Sequence, residues 1–427
     1  MALPITGSNS DNPCRLGKVN FEGWAAYELA NGVVQLFVVP EIGGRIIQIR
    51  LGDQPFLYVN SNLRGKVVPP SQLGPEAEWM NYGGSKVWPA PQGWTSDEEW
   101  PGPPDLILDG SPFECRIVEE SPESVAIHLT SPHDEYTGVT LSREIRILRG
   151  SSDVQISHTM KNTSRRPVRW SIWQVTQHDA HPDLAVFLPA TTCHKVYGEQ
   201  HYPGLAIDPQ RRLLRLQFAD VVAKFVMNPE AGWLATLDTR RRTVLAETFQ
   251  LFPGVPYPDN ASAEFWINGR GSFMIHGDHV DSSDAPAGPD PFLESEILSP
   301  MADLQPGQEY SFGIRWHCAR IEAQEIVRVN HCAAVATPLC VNRRGEELRA
   351  TGSFGIFQNG MLELISLLRN GTVHAVLPLG TVSPTEPCIV NSTLIDAPAL
   401  ARVSLRLKAS DGAILGTVDE ANVAPRP

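Results

Sequence analysis

Across most of the chain, apolar residues come in short alternating or β-branched runs, each closed by turn residues. The runs VVQLFVVP (33–40), RIIQIRLG (45–52) and QPFLYVN (54–60) flank a glycine pair at Gly43 and Gly44. This pattern predicts strands joined by tight turns. ESVAIHLTS, VTLSREIRIL and SDVQISHTMKN then follow one another between Glu123 and Asn162 at hairpin spacing, which predicts an antiparallel meander. Further strands are expected at RPVRWSIWQVTQ, LLRLQFA, KFVMN, GWLATLDT, TVLAETF, SAEFWING, FLESEILSP and YSFGIRWHCARI. Near Val327 the pattern restarts with CAAVATPLCVNRR, MLELISLLRNG and RVSLRLKASDGAILGTV, separated by polar turns such as RNGT and ASDG. The expectation is one all-β unit over 1–326 and a smaller immunoglobulin-like or fibronectin-like β-sandwich over 327–427.

Composition supports this division. With 36 prolines and 34 glycines in 427 residues, turn formers recur about every six positions, which suits short strands rather than long helices. The balance of 48 acidic against 35 basic residues leaves a formal charge of −13, which repels polyanions and argues against nucleic acid or an anionic membrane surface as partner. The first residues, MALPITGSNSDNPC, hold no basic segment followed by an apolar run, and no 18-residue apolar stretch occurs. The seven cysteines are scattered, with no CxxC pair, as expected of reduced structural thiols. A cytoplasmic protein is the expectation.

Three segments carry candidate chemistry. From Lys66 to Pro104 the strand pattern gives way to a Pro-, Gly- and Trp-rich stretch, and its tryptophans Trp79, Trp88, Trp94 and Trp100 predict an ordered functional loop. Within it, Asn81, Tyr82, Lys86 and Gln92 offer groups for sugar hydroxyls, while Trp88 and Trp94 offer flat apolar faces for a pyranose. The loop from Glu76 to Trp100 is expected to wall a groove. In the second segment, WSIWQVTQHDAH (170–181), the strand period puts Trp170, Ile172, Gln174, Thr176 and His178 on one face, with Trp173 and Gln177 on the other. In the third, ESEILSP (294–300), Glu294 and Glu296 share a face with Cα atoms roughly 7 Å apart. Their mutual repulsion favours a raised pKa on one of them and hence acid–base work. Glu264 in SAEFWING is a further candidate of the same kind, expected as a binding or structural carboxylate. The pairs His178/His181 and His276/His279 lack the frame of a metal site, so no metal is expected. No glycine loop leads from a strand into a helix, so no nucleotide cofactor is expected either.

Five segments together resemble the galactose mutarotase-like superfamily, and within it the DUF4380 branch. They are VVPEIGGRIIQI (38–49), NYGGSKVWPAPQ (81–92), the stretch from Asn162-Thr163 to WQVTQ, YPDNASAEFW (257–266) and ESEILSPMADLQPGQ (294–308). The resemblance implies an antiparallel supersandwich with a carbohydrate groove on a concave face. In the mutarotases a glutamate takes the proton of the anomeric hydroxyl and a histidine protonates the ring oxygen. His178 resembles that histidine and Glu296 or Glu294 that glutamate, Glu296 lying nearer the turn. The implied function is aldose 1-epimerase-like, with a mono- or oligosaccharide as partner. A polysaccharide lyase or glycoside hydrolase using Lys86 or the glutamate pair is the second reading, and a non-catalytic carbohydrate-binding protein the third.

Overall fold

A computed structural model describes residues 12–424, apart from 70, 71, 73–78, 94, 95, 199–201, 276, 277, 282–289, 345, 346 and 398. Trp94, Glu76 and His276, singled out in the sequence, lie outside the described residues. Among the described residues regular structure is strand throughout, with short 3-10 turns such as Ser61–Leu63 and Pro258–Asn260. The all-β antiparallel class expected from the pattern is what forms.

Two large sheets face each other. The first has 12 strands; across its middle run Arg45–Leu51, Ser85–Ala90, Val168–Asp179, Phe292–Leu298, Ala263–Asn268 and Ala223–Met227, with Arg15–Phe21 at one edge and His194–Gly198 at the other. The second has 10 strands, and the predicted meander forms one side of it: Glu114–Glu120, Ser124–Thr130, Val139–Leu148 and Val154–Asn162 pair in sequence, with Val154 opposite Ile147 and Ser124 opposite Leu148. Between the sheets lies the main apolar core, built from alternate residues such as Leu36, Val38, Ile127, Ile145, Ile147, Phe225, Leu245 and Ile314.

Within the Trp-rich segment the structure departs from the expected loop. Ser85–Ala90 is a central strand, paired with Val168–Asp179 through Trp173 opposite Trp88 and Val175 opposite Lys86. All six of its residues are buried, so it shows no alternation of apolar and polar positions, and Pro89 reads locally as a breaker. Its start is set by Gly83 and Gly84, at φ 95° and 74°. A Cβ at Gly83 would stand 2.3 Å from the Tyr58 carbonyl oxygen, and one at Gly84 2.5 Å from that of Ile46. Only glycine permits this approach.

The C-terminal part is a sandwich of two four-stranded sheets. Arg328–Val329, Ala333–Arg344, Glu347–Ile356 and Cys388–Ile395 form one, and Val373–Val382, Gly360–Leu368, Leu400–Lys408 and Ile414–Asn422 the other. It encloses its own apolar core around Leu348, Phe354, Leu364, Val403 and Leu405. A third apolar cluster lies between this sandwich and the 10-stranded sheet. Phe187, Trp233, Leu237 and Ile321, on the outer face of the 10-stranded sheet, pack with Val329, Ala334, Ala336 and Phe357.

Candidate functional site

The strand Phe292–Leu298 lies between Val168–Asp179 and Ala263–Asn268, and its two faces carry different chemistry. Its register sets Glu294 beside Gln177 and Trp266, and Glu296 beside Val175 and Glu264. Because the side-chain period is two, Glu294 and Glu296 project from one face and Ser295 from the other.

On the carboxylate face, two lysines meet the glutamates. Lys224 Nζ lies 2.7 Å from Glu264 and 2.6 Å from Glu296, and Trp173 Nε1 donates to Glu296 at 2.9 Å. Lys86 Nζ lies 3.1 Å from Glu294, whose same oxygen accepts from Gln177 Nε2 at 2.7 Å. The Lys86 ammonium is also 4.3 Å from the Trp88 ring centre and 4.9 Å from that of Trp79, a cation–π arrangement on two sides. Asp109 holds those indoles in place, accepting from Trp79 Nε1 at 2.9 Å and Trp88 Nε1 at 3.2 Å while paired with Arg45.

With all five groups ionised, three carboxylates against two ammonium groups would leave this buried cluster one negative charge in excess, which a shared proton relieves. Burial raises the proton affinity of Glu296, and Glu264 and Glu294 add to it against the pull of Lys224. Burial likewise raises Glu264, with Lys224 opposing. For Lys86 burial wins over Glu294 and lowers the pKa. For Lys224 burial opposes the charge, yet Glu264 and Glu296 outweigh it and hold the ammonium above its ordinary range. One oxygen of Glu264, one of Glu296 and the side-chain oxygen of Gln177 are buried with no hydrogen-bond partner in the protein, as are both side-chain polar atoms of Asn81. Buried polar atoms are ordinarily satisfied, so the free carboxylate oxygens of Glu264 and Glu296 are acceptors still open to a further donor. Glu264, Lys224 and Trp173 line a cleft of about 80 Å³ together with Gln92, Tyr197 and Asp259.

The structure therefore brings together Glu264, Glu294, Glu296, Lys86, Trp88, Trp173 and Gln177. It does not bring His178 to them. His178 follows Gln174 and Thr176 onto the opposite face, the one turned between the sheets, as the strand period requires. There its Nε2 lies 2.8 Å from Ser295 Oγ, and burial depresses its pKa to about 3, so the ring is neutral. Tyr82 is a packing residue instead, edge-on to Trp24 in a cluster with Phe21 and Phe37, its hydroxyl accepting from the Val68 amide at 3.3 Å. Sequence reasoning missed Lys224 and Asp259. A lone lysine in the otherwise apolar KFVM run was the available signal for the first.

Behind the site runs a second polar network, between the sheets. Ser295 Oγ donates to Glu247 at 2.5 Å, so His178 Nε2–H must donate to Ser295. Gln174 Nε2 at 3.2 Å and Trp316 Nε1 at 2.9 Å also donate to Glu247, and His158 Nε2 lies 2.8 Å from the Gln174 oxygen. Burial nonetheless pushes the Glu247 carboxyl up to about 7, its hydrogen-bond donors opposing. A folded-state pKa above the unfolded value stabilises the fold fully below about pH 4.5, and that stabilisation is lost as pH rises through 7. Urea denaturation is expected to give a stability falling by a few kcal/mol between about pH 5 and pH 8, and Glu247→Gln to flatten that slope. An unchanged slope in the variant assigns the dependence to other groups.

Fold and site together define an all-β sandwich with a buried lysine–carboxylate cluster on one sheet. Residues 25–319 match the family described as a domain of unknown function, DUF4380, and the chain belongs to that family. Among solved structures it is similar to a galactose mutarotase-like protein from Lactobacillus casei, with 8% identity, 69% of this chain and 100% of that one covered, and a TM-score of 0.44. A TPR-domain containing protein from Parabacteroides distasonis is 11% identical over 69% of this chain, which spans 46% of that longer protein, with a TM-score of 0.43. A galactose mutarotase-like protein from Clostridium acetobutylicum is 10% identical over 72% of this chain and 99% of its own, with a TM-score of 0.44. No curated protein matches the chain. At such identities the likenesses say nothing of chemistry, which rests on the residues above.

Proposed function

We propose that this chain binds an aldose in the cleft beside Trp173 and interconverts its anomers by proton transfer through Glu264 and Glu296. The observation that carries the reading is one lysine, Lys224, bridging two buried carboxyls that each keep an oxygen without a partner. Two carboxyls forced together hold one proton between them, so one is an acid while the other is a base. Ring opening needs that combination: the ionised carboxyl takes the proton of the anomeric hydroxyl, the protonated one gives its proton to the ring oxygen as the C1–O5 bond breaks, and both transfers reverse after rotation about C1–C2. Lys224 keeps the pair close and prevents both from being neutral. The roles assigned by resemblance to a histidine thus pass to a second carboxyl.

Anomer exchange followed by NMR across common aldoses tests this. Glu296→Gln and Glu264→Gln keep shape and are expected to slow exchange by about 10²-fold or more with folding intact. His178→Asn is expected to leave the rate per folded molecule within a few-fold, because its ring faces the other side of the sheet. Parent-like rates in both glutamine variants, or a 10²-fold loss in His178→Asn alone, would overturn the mechanism. Sugar binding without any exchange in the parent would place the chain among recognition proteins.

A further inference from the structure

We infer that the cleft selects an aldose carrying a free amino group, an inference that rests on the sugar-binding reading above. Lys224 is the one cation among its described lining residues, and its charge is already matched by Glu264 and Glu296 at 2.7 and 2.6 Å. What the buried wall still offers is an acceptor: the unpartnered oxygen of Glu264, whose side chain is nearly fully buried. At the rim stands a further carboxylate, Asp259, exposed on the turn Pro258–Asn260 and held there at φ 51°. An ammonium group supplies three donors and a positive charge opposite Asp259, so it satisfies the acceptor and the field together. A neutral hydroxyl satisfies only the acceptor. A phosphate or uronate carboxylate brings acceptors and a like charge into a cleft whose sole cation is spoken for.

Calorimetric titration of the full chain at neutral pH and low salt, with glucosamine, glucose, N-acetylglucosamine and glucose 6-phosphate, tests this. Glucosamine is expected to bind about tenfold or more tightly than glucose, N-acetylglucosamine to lose that advantage, and glucose 6-phosphate to bind more weakly than glucose. Raising the salt to about 0.5 M is expected to narrow the advantage. Asp259→Asn, on an exposed turn where asparagine tolerates the same backbone, is expected to cut glucosamine affinity several-fold more than glucose affinity. Equal affinities for glucosamine and glucose, or tighter binding of the phosphate ester, overturn this inference and leave the sugar-binding reading standing. Failure of all four sugars to bind overturns both.

Discussion

Lys224→Met is expected to destabilise the fold by about 3–5 kcal/mol at neutral pH and to abolish sugar turnover, because removing one partner of a buried ion pair leaves the others uncompensated. Here the uncompensated groups are two carboxyls, Glu264 and Glu296, which with Glu294 would then share one face with Lys86 as the remaining ammonium. The loss should shrink as pH falls, since protonation of Glu264 and Glu296 removes the charge that Lys224 balances. Adding Glu264→Gln and Glu296→Gln to Lys224→Met should recover most of the stability and none of the turnover. Urea denaturation at two pH values with anomer exchange on the same samples reads both. A Lys224→Met protein as stable as the parent at pH 7 would mean that the cluster contributes nothing to the fold.

Cutting the chain after Ile326 is expected to have an effect of similar size, and we propose that boundary as the division between the two units. Each side has its own core, yet truncation uncovers Phe187, Trp233, Leu237 and Ile321. Exposing a large apolar side chain costs about 1.5–3 kcal/mol, so four approach the whole stability of an ordinary domain. Polar contacts go as well: the Phe357 carbonyl accepts from the Ser152 amide at 2.8 Å, and its ring stacks on His317 at 4.7 Å. The 1–326 fragment is therefore expected to aggregate when made alone and to be recovered by co-expression with 327–427, which should fold cooperatively by itself. A monomeric 1–326 with the parent's melting temperature would show the junction to be incidental.

Much of this architecture is legible in the residues because half-buried strands alternate. The meander from Glu123 to Asn162 and the shared face of Glu294 and Glu296 both follow from a period of two. Ser85–Ala90 was hidden because a strand buried on both faces has no period to show, and its lysine and proline read as loop. The same period that paired the glutamates also placed His178 with Gln174 and Thr176; only the analogy with the mutarotase histidine drew it toward them. Lys224 reaches the glutamates by tertiary pairing of distant strands, a contact that local pattern does not encode. Its one trace is the cost of an unpaired lysine among buried apolar residues, which requires a partner somewhere in the fold.

The indoles around the cluster make a connected series: Trp79 to Trp88 at 6.3 Å, Trp88 to Trp100 at 5.1 Å, and Trp88 to Trp173 at 5.5 Å between ring centres. At such separations the rings share electronic excitation, and Trp173 at the cleft wall is one end of the series. Whatever occupies the cleft will alter the emission and near-ultraviolet dichroism of all four, so the protein carries its own optical label at the place where its ligand is expected.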